Sequence, residues 1–193
     1  MEVQVLLGVP APPHRPDAPA LGVDDAGPAR MSIASDTPVE AAVARAMELA
    51  LDQARQADAE GEVPVGAAIL GPDGAVLAMA HNEIESLQDP TAHAERLALS
   101  RACEGSGFAR LPEGSLLAVT LEPCAMCAGA LVWARVQQLI FGARDEKAGA
   151  VCSKVSLLSE GLFNHDIQVV EGVLANRCRE ILQQFFSQRR QPG

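Results

Sequence analysis

From residue 37 onward the apolar positions of the chain follow two alternating periods. Val39, Val43, Met47, Ala50, Leu51 and Ala54 recur at helical spacing, which predicts an amphipathic helix. Thr37 stands where its cap would be, Pro38 at its first position and Glu40 three beyond the cap, with Gly61 past its end. Val65 to Leu70 is a short apolar run suited to a buried strand. Gly71-Pro72-Asp73-Gly74 is turn chemistry, and Ala75 to Asn82 returns as a second strand, making a hairpin. A polar loop from Glu83 to Asp89 leads to a helix predicted to open at Asp89-Pro90 and run to about Cys103. Ser115 to Leu121 reads as a third strand and Cys124 to Arg135 as a helix. Gln138 to Gly142 and Ile167 to Glu171 complete the strands, and Leu174 to Ser187 is a closing amphipathic helix. Helices alternating with buried strands predict an α/β layered sandwich.

Residues 1–36 break this pattern. Six prolines (Pro10, Pro12, Pro13, Pro16, Pro19, Pro28) lie among Ala, Gly and Asp with little apolar periodicity. Such a stretch buries too little to offset its ordering entropy, so we expect a disordered N-terminal extension at 1–36 and one folded domain at 37–193. With 193 residues, 48% of them hydrophobic, the chain can bury one core. No apolar run approaches the ~20 residues that span a bilayer, and Val3 to Gly8 is too short for a signal peptide; both features predict a soluble protein.

Charge changes the picture modestly. The formal net charge is −10, which disfavours phosphate partners, but it is unevenly spread. Residues 1–134 carry 7 basic and 19 acidic side chains, whereas residues 135–193 carry 8 basic and 6 acidic. A basic surface built from Arg135, Arg144, Lys147, Lys154, Arg189 and Arg190 is one reading, and a solvated mixture of charges the other. Five cysteines (Cys103, Cys124, Cys127, Cys152, Cys178) are an odd number in a chain of ordinary size. They predict a reducing, cytoplasmic setting and a C-x-x-C pair used for metal.

The candidate chemistry sits in two stretches, Asp89-Pro90-Thr91-Ala92-His93-Ala94-Glu95 and Pro123-Cys124-Ala125-Met126-Cys127. One imidazole and two thiolates suit Zn2+, with the fourth tetrahedral position left for water, as in a catalytic site. Cys124 and Cys127 at i and i+3 point to one side of a helix whose positive end favours thiolates. Glu95, two residues beyond His93, would point about 200° away in mid-helix; near a helix start its longer side chain can curl toward the water as a proton carrier. H-x-E followed by P-C-x-x-C is the signature of zinc-dependent nucleobase deaminases. A closed structural site with Cys103 or Cys152 as fourth ligand is the competing arrangement. Cys103 and Cys178 otherwise read as small buried hydrophobes, and His14, His81 and His165 as structural.

These stretches, together with Leu121 to Ala130, Phe141-Gly142-Ala143-Arg144-Asp145 with Lys147 and Gly149, Glu62 to Ala67, and Phe185-Phe186, resemble the bacterial tRNA-specific adenosine deaminases. The resemblance covers about residues 37–190. It implies a cytidine-deaminase-like α/β/α sandwich with a five-stranded mixed sheet, one zinc per subunit, a homodimer, and conversion of the wobble adenosine (position 34) of a tRNA anticodon loop to inosine. It further implies His93, Cys124 and Cys127 as zinc ligands and Glu95 as proton shuttle. Asn82, Arg144, Asp145, Lys147 and Phe186 become substrate-binding residues, with turn and capping chemistry as the plainer role for Asn82 and Asp145. Trp133 is offered either as a dimer anchor or as core. Cys152 departs from the glycine common at this position in the family. A free-base guanine or cytosine deaminase is the nearest alternative; a non-catalytic partner subunit is disfavoured by the presence of Glu95.

Overall fold

The computed structural model describes residues 38–189. The Thr37 cap, the 1–36 extension, His14 and Arg190 lie outside these residues. Five strands, β1 (Gly66–Leu70), β2 (Val76–His81), β3 (Leu116–Leu121), β4 (Gln138–Ala143) and β5 (Gln168–Glu171), form one sheet in the order β2-β1-β3-β4-β5. β1 pairs antiparallel with β2 and β3, while β3–β4 and β4–β5 are parallel. The sheet is therefore mixed.

Its inner strands are apolar on both sides because helices cover both faces. Ala67, Ile69, Leu117, Val119, Leu139 and Phe141 face one cluster, shared with α3 (Ala94–Ser106) and α4 (Ala125–Trp133). The alternate residues Ala68, Leu70, Leu116, Ala118 and Ile140 face the other, shared with α1 (Pro38–Ala59) and α5 (Ala175–Arg189). Period-two alternation thus sorts each strand between two helix layers. Gly66 fixes how closely α1 sits: a methyl there would lie 2.1 Å from the Ala50 carbonyl oxygen and 2.4 Å from the Ala54 nitrogen. Among the described residues no helix is long and apolar enough to cross a membrane.

Three expectations change. The polar loop at 83–89 contains a short helix, α2 (Ile84–Leu87), whose first amides at Glu85 and Ser86 donate to the buried Glu62 carboxylate. The helix expected from Asp89-Pro90 opens only at Ala94. Asp89 caps a turn instead, accepting from the Thr91 amide (2.8 Å) and hydroxyl (2.6 Å), and Arg96 clamps that turn by bonding Asp89 and the Thr91 carbonyl. Cys178 is buried as expected, but Cys103 is only half-buried.

Candidate metal centre

Both metal-bearing stretches end as helix caps rather than helical turns. His93 is the residue before α3, with extended backbone angles (φ −75°, ψ 149°), and Cys124 is the residue before α4 (φ −73°, ψ 173°). Cys127 lies one turn into α4 and is fully buried. Helix α4 begins just past the carboxyl end of β3, and residues 144–145 follow the carboxyl end of the parallel neighbour β4. Crevices at such strand ends are where open α/β sheets bind ligands.

The His93 Nδ1 atom lies 3.7 Å from Cys124 Sγ and 3.7 Å from Cys127 Sγ. A nitrogen at ~2.1 Å and a sulfur at ~2.3 Å from one tetrahedral zinc stand about 3.6 Å apart. The three donors therefore fit a single zinc ion, and all lie within 4.8 Å of one another. Neither Cys103 nor Cys152 joins this group among the described residues, so the closed four-ligand arrangement finds no support. The Cys127 side chain first, and the His93 ring second, lower Cys124 to about 3, whereas Cys127 is pushed up by Cys124 and by burial. Hydrogen bonding to Cys124 also raises the His93 ring.

Glu95 is 3% exposed. Its carboxyl stands close enough to the His93 ring and to the Cys124 and Cys127 side chains for each to influence its ionisation, which places it beside the centre. Burial, the largest influence on it, raises its pKa. His93 is extended rather than helical, so the mid-helix separation of about 200° does not apply between it and Glu95 in the first turn of α3.

The substrate-side expectations divide. Asn82, 6% exposed, accepts the Ala94 amide on Oδ1 (3.0 Å) and donates from Nδ2 to the Val63 carbonyl (3.2 Å). It thereby does for α3 what a local cap residue would do, and holds the His93–Glu95 segment against the hairpin. Asp145 caps its own loop, accepting the Lys147 (2.9 Å) and Ala148 (3.2 Å) amides. Lys147 is exposed. Arg144 makes a two-pronged pair with Glu171 at 2.9 and 2.8 Å. Phe186 is on α5, which packs on the sheet face opposite α3 and α4; it meets Phe185 edge-on and is 43% exposed. Arg189 covers the Phe185 ring and donates to the Gly61 carbonyl. Trp133, at 77% exposure, is not core. His81 is buried, bonded to Glu60 and Gln53, and His165 bonds the Val136 carbonyl; both are structural.

The sequence pattern did not single out Glu122. It is 2% exposed. Its carboxylate accepts the amides of Asp145 (3.0 Å), Val151 (3.1 Å), Cys152 (2.7 Å) and Ser153 (2.9 Å), and the Ser153 hydroxyl. Burial alone would raise this carboxyl; the Ser153 hydroxyl and the loop amides outweigh it and hold the group below the ordinary carboxylate range. The available signal was a carboxylate placed directly before Pro-Cys at the end of a buried strand.

Residues 41–143 match the cytidine and deoxycytidylate deaminase zinc-binding region. The chain is 46% identical over 144 residues to the tRNA-specific adenosine deaminase of Bacillus subtilis, covering 75% of this chain and 88% of that one. It is 47% identical over 144 residues to the enzyme of that name from Agrobacterium fabrum, with 75% and 93% covered. The chain belongs to the tRNA-specific adenosine deaminase family. A solved structure of this family, from work on A-to-I editing by tRNA:A34 deaminases at the wobble position, superposes with a TM-score of 0.68 at 46% identity over 72% of this chain and 99% of that one. A guanine deaminase from Nitrosomonas europaea is more distant, at 26% identity and a TM-score of 0.61, covering 78% and 85%. The family membership, the zinc-binding region and the three-layer fold with its five-stranded mixed sheet agree with the expectations drawn from the motifs.

Proposed function

We propose that this deaminase converts the wobble adenosine of a tRNA anticodon loop to inosine in the cytoplasm, with His93, Cys124 and Cys127 holding zinc. The observation that carries the reading is Glu95: a buried carboxyl fixed beside a His-Cys-Cys donor set that fits one zinc. When bound, zinc supplies Lewis acidity that brings the pKa of water toward about 7. Glu95 takes one proton of the attacking water to the ring nitrogen of adenine and then carries the remaining hydroxyl proton to the departing amino group, which leaves as ammonia. Its burial suits this exchange, since a raised pKa lets the carboxyl hold the proton between steps. Asn82 holds the start of α3, and Arg144, Asp145, Lys147 and Phe186 contribute to RNA binding. The target base must leave its stack, which costs little in an exposed anticodon loop.

The expected result is that an anticodon stem-loop bearing A34 is converted to inosine while free guanine and cytosine are left unchanged, and that conversion weakens as salt rises. Turnover of the free bases alone would overturn the substrate assignment in favour of the guanine-deaminase reading.

We further propose a homodimer. Trp133 (77% exposed), Leu162 (55%) and Phe163 (44%) border one groove with Gly129, Val132 and Asn164, an apolar patch of the kind that marks a partner surface. Light scattering should give twice the chain mass for the wild type and the single-chain mass for Trp133→Asp; a monomeric wild type would sink this assignment.

A further inference from the structure

The turn carrying the metal ligands and the loop 145–153 are tied together at one point. Five donors of that loop converge on the Glu122 carboxylate, two residues before Cys124. Around this point the Glu122 amide bonds the Ala143 carbonyl (2.8 Å) and the Ala150 amide bonds the Pro123 carbonyl (2.9 Å), with a bridge between Cys124 and Gly149. The loop reaches this close only because residue 149 is glycine. A methyl there would stand 2.4 Å from the Glu122 carboxyl carbon and 2.6 Å from the Asp145 carbonyl oxygen. No other described carboxylate gathers so many donors of one segment.

We propose that Glu122 is a positioning residue for substrate recognition: its carboxylate sets where the loop bearing Asp145 and Lys147 stands relative to the zinc-holding turn. This rests on the reading that the loop meets the RNA beside the target base. A neutral amide at 122 offers only one accepting oxygen and turns donors against donors, so the loop loses its register while the zinc ligands, fixed by α3 and α4, keep theirs. The lost interaction is with substrate in both ground and transition states, so it is read in KM more than in kcat. A merely structural role behaves differently: a smaller folded fraction lowers apparent kcat and leaves KM alone.

The test is steady-state kinetics on the anticodon stem-loop, with the nucleotide beside the target varied, alongside zinc analysis. Glu122→Gln should keep its zinc, raise KM about tenfold with kcat within about threefold, and lose preference at the neighbouring nucleotide. Gly149→Ala, which forces the loop off an intact Glu122, should move KM the same way, and Ser153→Ala should do so more weakly. Unchanged KM in Glu122→Gln and Gly149→Ala, or loss of zinc from Glu122→Gln, would overturn the proposal. Should wild-type enzyme leave the stem-loop untouched, the substrate reading fails, and hydrogen exchange of the loop amides decides the tether separately. Faster exchange at Val151, Cys152 and Ser153 in Glu122→Gln supports it, and unaltered protection overturns it.

Discussion

Glu95→Gln is expected to lower inosine formation by about 10²- to 10⁴-fold, the range that a positioned proton-transfer group supplies. The substitution keeps shape and volume at a site that is 3% exposed, so neither a cavity nor a new clash accompanies it. It also spares all three candidate zinc donors, since Glu95 is not one of the His93, Cys124 and Cys127 group. An amide cannot take up and return a proton, and with a buried position no bulk water stands in for it. The discriminating measurement is single-turnover conversion of the stem-loop at saturating enzyme, with zinc determined on the same sample. A rate within tenfold of wild type, with zinc bound, removes Glu95 from the mechanism.

Cys127→Ser should have the second large effect, on metal retention and on stability together. Cys127 is fully buried and shares the 3.7 Å sulfur-to-imidazole spacing with Cys124, so the shorter, harder hydroxyl leaves two good donors where three converged. A ligand that binds only the folded state stabilises it by mass action, about 4 kcal/mol when free zinc stands 1,000-fold above Kd. Wild-type protein should therefore lose several degrees of Tm on chelation, whereas Cys127→Ser should start lower and respond little to chelator. Equal chelator responses in the two proteins would show that Cys127 does not hold the metal.

Most of the layering was legible because it depends on short-range periodicity. Ala67 to Leu70 and Leu116 to Val119 are apolar at every step, and strands of that kind have helices on both faces, as β1 and β3 do. That His93, Cys124 and Cys127 would come together was legible from residue type, spacing and the H-x-E and P-C-x-x-C signature. What escaped was the local start of α3. Asp89-Pro90 carries the signals of a helix opening, yet Arg96 fastens that turn and Asn82, twelve residues upstream of Ala94, supplies the cap. Capping from another strand leaves no pattern in a linear window. Glu122 escaped for the same reason, since its partners at 145 and 151–153 become neighbours only after β4 is laid beside β3. The Arg144–Glu171 pair was likewise hidden, being a register effect of neighbouring strands.

The ordering of parts along the chain has a consequence for biosynthesis. Asn82, His93, Glu95, Cys124 and Cys127 all precede β4, and a nascent polypeptide extended to residue 143 already contains four of the five strands. Every donor of the candidate metal centre is thus synthesised before the loop 145–153 and before α5.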